Sequence, residues 1–206
     1  DNFPFLLLNL LKGRADADLV LQGDPAAEQT DKISGAVSVP RAQVEVPSQA
    51  VGKSFTWRPS FSPHLDIQIV AQEIIAETSG AKVTLAGEGQ VGGRLGYEPL
   101  ALTAKLRADK GTLDFPAATA EVKAMEIDLD KQPEAPLRAL GRVTAIARVG
   151  RYRIDLSGGG SLLPENDLRI TASASPALSS EQAIGLLLGL PPNLAGTTAE
   201  EALGRQ

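Results

Sequence analysis

The sequence contains no cysteine, so it can form neither a disulfide framework nor a thiolate metal site. That absence does not fix a compartment, but it suits an oxidising one. Aromatic residues are scarce, with five Phe, two Tyr and one Trp in 206 residues. A surface that stacks nucleobases needs exposed rings, and these are too few to supply one. Charge of one sign is also lacking: the net charge of −5 is spread along the chain with no long basic run, which argues against nucleic acid as a partner. No apolar run reaches the roughly 18–20 residues of a membrane-spanning helix. The opening DNFPFLLLNLLKGR is too short to span, and it lacks the basic start and cleavage site of a signal peptide. Asp1 falls within a pattern already under way. Residues 1–16 therefore read as the end of a preceding segment, with any anchor or export signal outside this sequence.

What is present is alternation. Leu19 and Leu21 share one face of ADLVLQG, Val37 pairs with Val39 in GAVSV, and Val44 with Val46 in AQVEVP. The run HLDIQIVAQEI sets Leu65, Ile67 and Ile69 against Asp66 and Gln68, slipping at Val70. Val83 and Leu85 follow, then Leu100, Leu102 and Leu106, then Ile127 and Leu129 after a change of phase between Val122 and Met125 that predicts a β-bulge. Ile154 and Leu156 belong to a pair of runs turning at Gly150, and Leu168 with Ile170 closes the series. A period of two with one apolar face is the mark of half-buried strands. About a dozen short strands are expected over residues 17–176, an all-β class with no βαβ rhythm.

Residues 177–206 differ. Ser179 followed by Gln182 is a capping box, and Ile184 and Leu187 share a helical face with Ala183 and Leu188. A second short helix is expected from Thr197. Leu186, Leu187, Leu188 and Leu190 cannot all face one side, so some must be exposed or meet a partner.

One-sided strands can close as a sandwich or curl into a trough. Large aromatics usually fill a sandwich core. Their scarcity beside so many Ala and Val positions favours an open trough, an elongated curled antiparallel or mixed sheet lined by the apolar residues named above.

Chemical motifs fare poorly. Gly87, Gly89 and Gly92 match G-x-G-x-x-G, yet no helical pattern follows them to hold a pyrophosphate, and a glycine-rich hairpin is the better reading. SGGGS (157–161) lacks the lysine of a phosphate loop and reads as a loop. His64 is the single histidine, and no G-x-S-x-G accompanies it. Asp16 with Asp18, and Asp128 with Asp130, are spaced to share a strand face, but the rest of a calcium loop is missing. No catalytic residue, metal site or cofactor is expected, and enzymatic function finds almost no support.

The segment RYRIDLSGGG followed by NDLRITASASPALSSEQAIGLLLGLPP resembles the C-terminal domain of the TamB family, the inner-membrane component of the bacterial translocation and assembly module. The resemblance rests on Ser175-Pro176 at the end of a strand, the cap Ser179 to Gln182, and a helix closing on Leu187-Leu188-Gly189. Upstream, SGAVSVPRAQVEVP and LDIQIVAQEIIAETSGAKVTLAGEGQVGG are similar to the family's strand pattern, so it covers roughly residues 17–192. It implies a β-taco trough in an elongated envelope protein, periplasmic and anchored to the inner membrane by a segment outside this sequence. It further implies phospholipid, or another acyl-chain ligand, as the cargo moved between membranes. An alternative is assembly or secretion of outer-membrane β-barrels, with a barrel assembly protein as partner. A ligand-free structural sandwich is a second alternative. The terminal helix is expected to plug the trough's end.

Overall fold

The computed structural model describes residues 2–7, 11–22, 32–45, 63–94, 100–163 and 169–191. Ten strands follow in order: β1 (Asn2–Leu7), β2 (Leu11–Gln22), β3 (Lys32–Glu45), β4 (His64–Thr78), β5 (Ala81–Arg94), β6 (Ala101–Phe115), β7 (Ala118–Lys131), β8 (Arg138–Val149), β9 (Tyr152–Ser161) and β10 (Arg169–Ser175). A single helix, α1 (Ser180–Leu187), comes last. The strands lie side by side in sequence order in one open sheet, from β1 at one edge to β10 at the other. The fold is all-β, a curled mixed sheet. Every pair is antiparallel except β3 with β4, which run parallel with Lys32 opposite His64.

The strands are fewer and longer than the alternation implied. GAVSV and the AQVE of AQVEVP both lie in β3, whose apolar phase shifts where Val39 and Pro40 together oppose Ala15. Residues 2–7 and 11–16 belong to β1 and β2, and so to the sheet, not to a preceding segment. The run FLLLNLL is apolar but for Asn9 and carries no period of two to read. The hairpin at Gly150 is as expected: Val149 pairs with Tyr152, and Gly150 takes φ of +56°, a left-handed value that glycine adopts without strain.

Register irregularities run across neighbouring strands. β2 against β3 shifts between Arg14 and Asp16, β4 against β5 between Ala71 and Ile74, and β5 against β6 between Thr84 and Ala86. β7 shifts against β8 between Val122 and Ala124, the phase change anticipated from sequence. Val70 causes no slip; it sits on the outer face, and the irregularity comes after Ala71. Each bulge bends its strand, so bulges set side by side fold the sheet along one line. The curl is visible in burial. Val83 and Leu85 are only 5% and 6% exposed within a small cluster that also holds Ala108, Ile74, Leu106, Met125 and Ile127, all from strands of this one sheet.

The two glycine-rich segments are strand interiors rather than a hairpin and a loop. Gly87 and Gly89 lie within β5 and Gly158 to Gly160 within β9. A Cβ on Gly87 would collide with the Lys105 carbonyl oxygen, and one on Gly89 would come 2.8 Å from the Thr103 carbonyl oxygen. The inside of a bend has little room, and glycine is what fits there.

The larger cluster joins sheet to helix. Ala120, Ala145, Ala147, Ile154 and Leu156 meet Ala183, Leu186 and Leu187 of α1. The sheet's share is mostly alanine, which lets the helix backbone approach closely. The N-terminus of α1 is fixed by the capping box: the Gln182 N–H donates to Ser179 Oγ at 3.2 Å, and the Ser179 N–H donates to Gln182 Oε1 at 3.0 Å. Its far end is tied to the β6–β7 turn, where the Ala117 N–H donates to the Leu187 carbonyl at 3.0 Å.

Candidate functional site: an uninterrupted apolar face

The register brings the alternating residues of separate strands into rows on one face. Leu21, Ile33, Leu65 and Gly93 form a row, with Leu100 packed beside Gly93. The next holds Leu19, Gly35, Ile67, Val91, Leu102 and Lys131. Val37, Ile69, Gly89, Ala104 and Leu129 make a third, and Val39, Ala71, Gly87, Leu106 and Ile127 a fourth. Beyond the crease come Val44 with Ala76 and Val83, and Ile74 with Leu85. At the far edge Leu156 lies between Ala145 and Ala172, Ile154 between Ala147 and Ala174, and Gly158 between Val143 and Ile170. Every groove residue expected from sequence that falls among the described residues thus shares one face. Val46 and Leu168 lie outside the described residues, as does the helix expected from Thr197.

Burial along this face is uneven. Leu65, Val83, Leu85, Ile154 and Leu156 are buried, the last two beneath α1. Leu19, Leu21 and Ile170 are 45%, 63% and 49% exposed. The face is therefore covered where α1 sits and exposed at Leu19 and Leu21 of β2 and at Ile170 near the start of β10. Sequence reasoning missed Ile33, Ile74, Val91, Met125 and Val143. Ile33 could have been found, since its alternation with Val37 runs through Gly35, which reads as punctuation.

The helix contacts need one correction. Leu187 is 1% exposed and Ile184 half-buried, but Leu188 is 51% exposed at the helix C-cap. Leu186, at 8%, packs in its place. At the C-cap the chain leaves its helical path, with ψ at 0°, so Leu188 no longer follows the buried stripe. Leu190 is exposed as well, at 46%.

Charge is segregated. Among the described residues of β3 to β10, the inner face carries one ionisable cation, Lys131, and no acid. The ion pairs Lys32–Asp66, Arg41–Glu73, Lys82–Glu77, Arg107–Glu126 and Arg153–Asp155 all lie on the opposite face. Their side chains are well exposed, so each adds little stability. Asp66 has the fullest environment: Lys32 Nζ donates to it at 3.0 Å and Gln90 Nε2 at 3.2 Å. The Lys32 contact first, then Gln90, holds its carboxyl below the usual carboxylate range. Asp16, Asp18, Asp128 and Asp130 are also on the outer face, and His64 is exposed at the start of β4. Among the described residues no cluster of three such groups could hold a metal ion, and no polar or charged residue is buried. The arrangement offers a long surface from which water is poorly bound and to which apolar matter can adhere. No family model, curated protein or solved structure matches the chain.

Proposed function

We propose that this chain is a TamB-like, groove-forming domain of the bacterial cell envelope that shelters the acyl chains of phospholipid in passage between inner and outer membranes. One observation carries the reading: an apolar face that runs across the sheet and that, among the described residues, has no second layer except where α1 packs. Soluble proteins rarely leave contiguous apolar surface bare unless something binds there. The dimensions suit the cargo. Strands stack about 4.8 Å apart, so ten span about 43 Å, against about 15 Å for the hydrocarbon of one leaflet. Each CH₂ withdrawn from water contributes about 0.8 kcal/mol, so a row of Leu, Ile and Val binds a chain with no specific polar pocket. Head groups would stay in solvent at the rim.

The test is mass spectrometry of lipids co-purifying with the chain, under native conditions and after solvent extraction, for the wild type and for Ile67→Asp. Stoichiometric phospholipid in the wild type and its loss in the variant supports the groove. Lipid-free wild type, or full retention in Ile67→Asp, removes it.

A second reading is assembly of outer-membrane barrels by strand addition. It is favoured by the sheet's two edges: among the described residues β1 has only β2 beside it and β10 only β9. On β10 the Ala172 N–H points outward, so alternation turns that of Ile170 outward too. Ile170→Pro therefore removes an edge donor while sparing the β9 ladder. Loss of a bound strand in this variant, with lipid retained, selects the second reading.

A further inference from the structure

We propose that Lys131 is the head-group subsite of the groove, taking the anionic phosphate or carboxylate of an amphiphile whose chain lies along the neighbouring rows; this rests on the groove reading above. Lys131 is the last residue of β7, and its register partner is Leu102 on the apolar face. It is the one charged residue placed on that face among the described residues of β3 to β10. Its stem thus starts among Leu102 and Leu129, while its ammonium reaches the rim.

There it is held rather than free. Nζ donates to the Gln132 carbonyl at 2.9 Å and to the Ala135 carbonyl, both in the β7–β8 connection. An ammonium has three donors, and backbone carbonyls occupy two, leaving one for a ligand. Among the described residues no carboxylate forms a salt bridge with it, whereas Lys32, Lys82 and Lys123 are each paired with an acid. A lysine with its stem on apolar surface and its head fixed at the boundary has the disposition that places lysines at membrane interfaces. Here the boundary is that between groove and solvent. An amphiphile with its chain beside Leu102 would bring its anionic head to this ammonium. A neutral head would gain nothing from it.

Two probes of equal chain length, hexadecyl phosphate and hexadecanol, separate this from a structural role. Binding of each to the full chain is measured for the wild type, Lys131→Gln and Lys131→Arg. The expected result is a loss of about 5–10-fold in affinity for hexadecyl phosphate in Lys131→Gln, unchanged affinity for hexadecanol, and recovery in Lys131→Arg. Equal losses for both probes mean that Lys131 only orders the loop, and no loss for either means that the head group lies elsewhere; both overturn the proposal and leave the groove standing. Wild type that binds neither probe overturns the groove reading itself. Displacement of hexadecyl phosphate by inorganic phosphate alone would mark a free-anion site and also overturn the assignment.

Discussion

The Ala172 N–H, on the outer edge of β10, donates to the hydroxyl of Ser180 in the first turn of α1 at 2.9 Å. A helix residue thus occupies a position that a further strand would otherwise claim, which is one way an exposed sheet edge is blunted. Ser180→Ala is expected to cost about 1 kcal/mol. It should also quicken hydrogen exchange at Ala172 and raise concentration-dependent association seen by size-exclusion chromatography. Ser179→Ala should cost a similar amount, about 1 kcal/mol, through the lost cap, without that rise in association.

The two adjacent leucines at the end of α1 should behave unlike each other. Leu187 is 1% exposed and Leu188 is 51%. Leu187→Ala is expected to destabilise by about 2–5 kcal/mol, lowering Tm by about 2–4 °C for each kcal/mol in a chain of this size. Leu188→Ala should stay within about 0.5 kcal/mol. Thermal denaturation followed by circular dichroism distinguishes the two, and equal effects would contradict the docking of α1 described above.

Gly87 and Gly92 occupy the same strand on opposite faces. A Cβ on Gly87 would strike the Lys105 carbonyl oxygen and come within 2.9 Å of the Leu106 Cα, whereas the nearest atom at Gly92 is 3.8 Å away. Gly87→Ala should therefore destabilise by about 3 kcal/mol and Gly92→Ala by less than about 0.5 kcal/mol. Urea midpoints at constant m-value measure the difference.

Asp66 gives the outer face a pH dependence. Its carboxyl titrates lower in the fold than in the unfolded chain, because of Lys32 and then Gln90. The stabilisation is therefore complete above the ordinary aspartate pKa, about 3.9, and disappears as pH falls through the lowered folded value. Asp66→Asn should melt at a lower temperature than the wild type at about pH 7, and the gap should close as pH falls through the lowered folded value. Added salt should narrow it at neutral pH.

Much of this architecture can be read from residue order. Alternation alone assigned the face of Ile67, Leu102, Ile127 and Leu156, because a half-buried strand leaves little choice about which side chains turn inward. The break between Val122 and Met125 located a bulge, and Ser179 with Gln182 located the helix start. Three features were not legible. FLLLNLL has no periodicity, so β1 and the start of β2 went unseen. Gly87, Gly89 and Gly158 to Gly160 read as turn residues because glycine punctuates most chains; in the sheet all are strand residues, and Gly87, Gly89 and Gly158 sit on its inner face. The parallel pairing of β3 and β4 leaves no trace in either strand, since a one-sided strand presents the same face to a neighbour of either direction. Lys131 is different: its alternation with Ile127 and Leu129 places it on the inner face, but a charge at the end of an apolar series reads as the point where the lining stops.

The strands follow one another in sequence order, each adding one position to rows already apolar, and nothing in a row refers to its total length. A further hairpin laid against β1 would lengthen the channel by about 10 Å and leave its cross-section as it was. Length and bore are therefore separate properties of this fold: bulges and inward glycines determine how wide the channel is, while the number of hairpins determines how far it reaches. At β10, one end of the described series, a helix of eight residues covers part of the lining and holds the edge at Ala172.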